Sequence, residues 1–156
     1  MRNRIYHQWR QQFLVSDGDQ TYVRTTSSGD DTTVLSEAQS YGMLLTVYAA
    51  QKGQANQENF DSLYRYYKNH RLEGTQLMSW KQVISNGKET VEKHNATDGD
   101  LYIAYSLIEA AKQWPDKAQE YEGQAKSILI DILRFNYNED TGVLKVGNWA
   151  QKNTDF

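Results

Sequence analysis

Ala96-Thr97-Asp98-Gly99-Asp100-Leu101-Tyr102-Ile103-Ala104-Tyr105-Ser106-Leu107-Ile108-Glu109-Ala110 reads as the start and body of a helix. Leu101, Ala104, Tyr105, Ile108 and Ala111 recur at helical spacing, which predicts a helix over 98–113. Thr97 is the expected N-cap, and Asp98 and Asp100 fall in the first turn, where acidic groups complement free N–H groups. Trp114-Pro115-Asp116 then forms a short connection. Tyr121, Ala125, Ile128, Leu129, Ile132 and Leu133 predict a further helix over 117–135. Two long helices joined this tightly make an antiparallel hairpin.

The same spacing recurs upstream. Ile5, Trp9 and Phe13 predict a helix over 3–14; Tyr41, Leu44, Leu45 and Tyr48 predict one over 37–51; Phe60, Leu63, Tyr64 and Tyr67 predict one over 57–70. Ser36 with Gln39 three residues on reads as a capping box at the start of the second of these. The connections 15–35 and 71–97 are long, and long loops in a small helical domain are often functional. Asn86-Gly87 within 71–97 is a hairpin-turn signal. The reading is an all-α fold of helix hairpins in one domain, residues 1–156, with long loops and one small β-hairpin. Gly42 and Gly99 sit inside helices, where glycine costs about 1 kcal/mol relative to alanine. Close approach of another helix or a ligand accounts for such positions.

Composition narrows the function. With 17 Lys and Arg against 20 Asp and Glu the net charge is −3, which argues against a nucleic-acid binder relying on a basic field. No apolar run approaches the ~20 residues of a membrane helix, and no signal-peptide pattern opens the chain. Cysteine is absent, which excludes disulfide scaffolds, thiolate zinc sites and cysteine nucleophiles. His7, His70 and His94 lack metal-ligand spacing, so no metal is expected, and no phosphate-binding or nucleophile-elbow motif occurs.

The chemistry-bearing residues therefore sit at two helix starts. Glu37 follows Ser36, and Asp98 and Asp100 follow Thr97. Each carboxylate has a purely structural reading, because helix N-termini favour acidic residues. Tyr41 and Trp80 read either as core aromatics or as rings on which a flat, partly apolar sugar face stacks.

Two motifs point past the structural reading. Residues 96–114, from Ala96-Thr97-Asp98-Gly99-Asp100 to Trp114, resemble the signature of glycoside hydrolase family 8. Ser36-Glu37 with Tyr41-Gly42-Met43 resembles that family's general-acid segment, Ala38 replacing a usual glycine. Phe60-Asp61-Ser62-Leu63-Tyr64 resembles its F-D-x-L-W segment, and Gly147-Asn148-Trp149 a later G-D-W segment. The resemblance implies that the helix hairpins form part of an (α/α)6 barrel with a substrate cleft at one end. It implies inverting hydrolysis of β-1,4-linked polysaccharides, glucan before chitosan or xylan, without a cofactor. It implies Glu37 as general acid and Asp98 as the carboxylate holding the sugar at the cleavage point. Tyr41, Trp80, Asp100 and Trp149 are then expected to bind substrate.

An inverting hydrolase needs a protonated carboxyl at the leaving oxygen and a carboxylate that activates water, about 6.5–9.5 Å apart. In the family the base is an aspartate further downstream, so the chain resembles an N-terminal half lacking it. Exposed apolar faces are then expected, with self-association or pairing with the missing half. Location outside the cell follows from the polymeric substrate. A carbohydrate-binding remnant and a helical interaction module are the competing readings. The doubled acidic motif argues against the second of these.

Overall fold

The computed structural model describes residues 2–28 and 31–147. Helix α1 (Arg2–Phe13) runs into a hairpin of β1 (Leu14–Asp17) and β2 (Gln20–Val23). Then come β3 (Thr26–Ser28), β4 (Asp31–Leu35), α2 (Ser36–Gln51) and α3 (Gln57–Asn69). After them stand β5 (Lys81–Ser85), β6 (Lys88–Val91) and α4 (Thr97–Gln113). A single 3-10 turn, Pro115–Lys117, leads to α5 (Ala118–Asn136), and β7 (Tyr137–Asn138) and β8 (Val143–Leu144) follow. The helices begin and end within one residue of the positions their apolar spacing predicts.

The helix starts are built differently from expectation. At α2 the N-cap position falls on Leu35 and no side chain caps the helix. Strand β4 runs straight into the helix, and the Ser36 N–H donates to the Trp80 carbonyl at 3.0 Å. Gln39 is fully buried and serves the hairpin instead: it accepts from the Val23 N–H and donates to the Thr21 and Leu63 carbonyls. At α4 the N-cap position is Ala96, and the Thr97 hydroxyl donates to the Lys145 carbonyl at 2.6 Å. A true capping box stands at α3, where Asn56 and Asn59 exchange side chain to backbone bonds.

The expected hairpin is there, and it is part of more. Asn86 (φ 52°) and Gly87 (φ 75°) both take positive φ, the requirement of a tight turn between β5 and β6. Strand β5 also pairs with β4, Leu35 opposite Lys81, giving an antiparallel sheet in the order β3-β4-β5-β6. That pairing joins the two long connections across the sheet.

Helix α4 packs against both α2 and α5, and α2 also meets α3. The core is strongly aromatic. Phe60 lies against Tyr64, Trp114 and Tyr121, with ring centroids 5.3–6.2 Å apart. Asp61 of the same segment accepts hydrogen bonds from Tyr121 and Lys117, tying α3 to the start of α5. Phe60-Asp61-Ser62-Leu63-Tyr64 thus packs the core and ties α3 to α5.

The buried face of α2 is Met43, Thr46, Val47 and Ala50. Tyr41, Leu45 and Tyr48 were expected on the apolar face, yet they stand exposed. Tyr102 and Tyr105 of α4 are exposed beside them: Tyr41 meets Tyr102 at 5.2 Å, and the Tyr48 and Tyr105 hydroxyls lie 3.4 Å apart. Leu129, Ile130 and Leu133 of α5 are also exposed. No helix among the described residues is long and apolar enough to cross a membrane.

Candidate functional site

The backbone brings the predicted residues together before any side chain does. Ser36 N–H donates to the Trp80 carbonyl, and Trp80 N–H donates to the His94 carbonyl at 2.8 Å. The segments before Glu37, around Trp80 and before Asp98 therefore run side by side. Thr97 N–H donates to the Val146 carbonyl at 2.9 Å, adding a fourth segment. Along this ladder opens a cleft of about 660 Å³, lined by Glu37, Trp80, Glu92, His94, Ala96, Asp98 and Val146.

The N-terminal ends of α2 and α4 touch, and Gly99 allows it. A Cβ on Gly99 would lie 2.4 Å from Ser36 Oγ and 3.1 Å from the Glu37 nitrogen. Gly42 does the same job further along α2, where a Cβ would lie 2.6 Å from a Val23 methyl and 3.4 Å from the Trp9 ring. Both glycines thus mark close packing within the protein. Two positive helix ends converge on one wall, with Glu37 exposed and Asp98 half-buried upon it. One Asp98 oxygen accepts from the Gly99 N–H at 2.8 Å.

Tyr41 stands beside the acidic pair. Partial loss of water, then the negative charge of Glu37 and a hydrogen bond to it, hold the Tyr41 phenol above its ordinary range. Trp80 is half-buried on the cleft wall, with the Lys81 ammonium 5.6 Å from its ring centre. Trp149 lies outside the described residues, as does Asn148.

Asp100 does not join the cleft. It is fully buried, and its carboxylate accepts from the Met78 N–H at 2.9 Å and from Asn95 Nδ2 at 2.8 Å. On a helix, a residue two places from Asp98 points about 200° away around the axis, so the two acids cannot share a wall.

Glu92, His94 and Val146 are cleft residues that sequence spacing did not single out. Of the acids in the long connection, Glu89 instead pairs with His70. Glu92 is placed by its backbone: its N–H donates to the Lys81 carbonyl and its carbonyl accepts from the Ser79 hydroxyl.

A family model described as glycosyl hydrolases family 8 matches residues 1–156. The chain belongs to that family. It is 39% identical to the beta-glucanase of Niallia circulans over 150 residues, covering 94% of this chain and 36% of that protein. It is 35% identical to endoglucanase C of Ruminiclostridium cellulolyticum, covering 95% of this chain and 32% of the relative. The family 8 chain therefore spans about a third of these relatives. Among solved structures, the beta-1,3-1,4-glucanase of Paenibacillus sp. X4 superposes with a TM-score of 0.78 at 35% identity, over 96% of this chain and 39% of that one. The family 8 endoglucanase of Klebsiella pneumoniae gives 0.76 at 25% identity, over 94% and 44%. The helix hairpins are thus part of the family 8 (α/α)6 barrel.

Two stability effects follow from how this family 8 site is built. The Ser36 hydroxyl is buried and has no hydrogen-bond partner among the described residues. A buried hydroxyl left unpaired costs roughly 1–3 kcal/mol. Ser36→Ala is therefore expected to raise stability by about 1 kcal/mol in urea unfolding. A fall would show that the hydroxyl has a partner.

Asp100 makes stability depend on pH. Burial pushes its carboxyl up to about 7, against the opposing hydrogen bonds from Met78 and Asn95 and with the Asp98 charge adding to the rise. The folded pKa exceeds the unfolded one, so the folded state binds the proton more tightly. This contribution is most favourable below about pH 4 and is lost as pH rises to about 7. The stability of the wild type relative to Asp100→Asn should fall across that window, as read from paired urea melts. A constant difference would place the Asp100 titration elsewhere.

Proposed function

We propose that this chain is the acid-bearing part of an endo-acting hydrolase of β-1,4-linked glucan. The observation that carries the reading is one cleft presenting Glu37, Asp98 and Trp80 together. In this mechanism the Glu37 carboxyl protonates the leaving glycosidic oxygen. Asp98 holds hydroxyls of the sugar at the cleavage point, and the Trp80 ring takes the flat face of a neighbouring sugar. Tyr41, beside the acidic pair, lines a further subsite. Water attacks from the opposite face with inversion, activated by a carboxylate that chain beyond this part supplies.

The exposed aromatic faces of α2 and α4 fit this division of labour. Leu45, Tyr48, Tyr102 and Tyr105 form a surface that further barrel helices would cover. Polymeric substrates place such an enzyme outside the cell. Because Trp80 and Asp98 share the cleft, binding is expected from this chain alone.

Calorimetric titration with cello-oligosaccharides tests the reading, alongside reducing-sugar release from soluble cellulose, mixed-linkage glucan, chitosan and xylan. Binding of β-1,4-glucan oligosaccharides is expected, weakened about tenfold by Trp80→Ala, the scale of one lost stacking platform. Absence of binding to every one of these sugars would reject the reading.

A further inference from the structure

We propose that Asp100 is a positioning residue, whose buried carboxylate ties together the backbone segments that present Trp80, Asp98 and Val146 to the cleft. Its functional part rests on the hydrolase reading above. The tie itself stands on geometry. One Asp100 oxygen accepts from the N–H of Met78, two residues before Trp80. The other accepts from Asn95 Nδ2, three residues before Asp98. Asn95 Nδ2 also donates to Asn136 Oδ1 at 2.7 Å, and the Asn136 carbonyl accepts from the Lys145 N–H. Thr97 then closes the circuit through the Lys145 and Val146 carbonyls. Met78, Asn95, Thr97, Asp100 and Asn136 are all at 0% exposure, so no substrate atom reaches the hub.

The hub explains why an acid stands at this position. Met78 offers an N–H, and Asn95 turns its amide nitrogen toward both Asp100 and Asn136. The group between those donors must accept with both of its oxygens. A carboxylate does so, whereas an amide would aim an N–H at one of the donors. The other titratable groups facing Asp100 are Asp98 on its own helix and Tyr67 on α3. Neither offers a countercharge, so among the described residues the carboxylate is held by the Met78 and Asn95 dipoles.

Exchange of the two side chains tests the assignment. In Asp100→Asn an N–H meets a donor, and the segments carrying Trp80 and Asp98 lose their common tie. In Asp100→Asn with Asn95→Asp the pairing is restored: position 100 accepts from Met78 and donates to position 95, and the Asn136 amide turns over to donate. Cellopentaose affinity, measured by calorimetry below the unfolding temperature of each protein, should fall at least about tenfold in the single variant. It should return to within about threefold in the exchanged pair. A folded single variant with unchanged affinity would overturn the proposal, as would an exchanged pair that regains stability and not affinity.

An NMR titration of the unaltered protein covers the case in which the single variant does not fold. The Met78, Trp80 and Asp98 amides should shift together with one midpoint at about 7. Movement of Met78 without the other two would overturn the proposal. Failure of the unaltered protein to bind cellopentaose would sink the hydrolase reading and the affinity role, while the titration still decides whether the tie exists.

Discussion

Glu37→Gln is expected to lower the rate of β-glucan hydrolysis roughly 10²–10⁴-fold, the range that positioned proton transfer contributes. The substitution keeps the shape of the side chain and removes its ability to deliver a proton. Glu37 is exposed on the cleft wall and its backbone is held by the bond from Ser36 to Trp80, so the fold should not change. Affinity for cello-oligosaccharides should stay within about threefold, because the proposed function gives binding to Trp80 and Asp98 and proton transfer to Glu37. The decisive comparison uses two substrates. A cello-oligosaccharide has a poor leaving group and depends on the acid. An aryl glycoside with a nitrophenolate leaving group departs without a proton. The variant should therefore lose far less rate on the aryl substrate. Equal losses on both would mean that Glu37 acts through binding or through the fold. The assay requires a protein in which the downstream base is present. If this chain alone releases reducing sugar, a carboxylate of its own cleft supplies that role, and Glu92 is the first to replace.

The second large effect is expected at Gly99. A valine there places its Cβ 2.4 Å from Ser36 Oγ, 3.0 Å from Ser36 Cβ and 3.1 Å from the Glu37 nitrogen, before its methyl groups are counted. The Ser36 hydroxyl can rotate away. The Glu37 backbone cannot move without shifting the start of α2. Overpacking of this kind costs about 1–3 kcal/mol, which in a chain of this size lowers the melting temperature by roughly 3–10 °C. The larger consequence is functional. Glu37 and Asp98 ride on the two helix ends that Gly99 lets touch, and a displacement of about 1 Å can cost around 100-fold in rate. Gly99→Val should thus lose activity out of proportion to its stability. Gly99→Ala should do much less, and less again in a Ser36→Ala background, where the nearest obstructing atom is gone. A folded Gly99→Val protein with full activity on glucan would show that helix contact does not set the site.

Helices were legible because their signal is local. Apolar residues at spacings of three and four mark a face wherever the helix ends up, and the boundaries came within one residue. The Asn86-Gly87 turn was legible for a similar reason, since positive φ at both positions selects those residue types. Both acidic helix starts were also readable, because their residue order resembles family segments, and Trp80 falls where the family has a stacking Trp. The same local reading failed at the caps. Ser36, Gln39 and Thr97 have the right side chains for helix starts, yet each is used elsewhere: buried against Gly99, bonded to β2, or bonded to Lys145. A capping residue competes with whatever else tertiary structure brings near it, and spacing alone does not reveal that competition.

By itself, then, the sequence determined the helix hairpins, the family, and which acidic and aromatic residues are candidates for the chemistry. Those follow from periodicity and residue type, which are properties of neighbours along the chain. Tertiary structure alone decided the rest. It paired β4 with β5 and thereby set Glu37 beside Trp80, although they lie far apart in sequence. It brought Glu92, His94 and Val146 into the cleft and turned Asp100 away from Asp98 into a buried hub. It also chose which apolar stripe of α2 to bury, leaving Tyr41, Leu45 and Tyr48 outside. The physical reason is common to all of these. Long-range hydrogen bonds and packing depend on which surfaces meet, and a helix apolar on more than one side does not say which side it will bury.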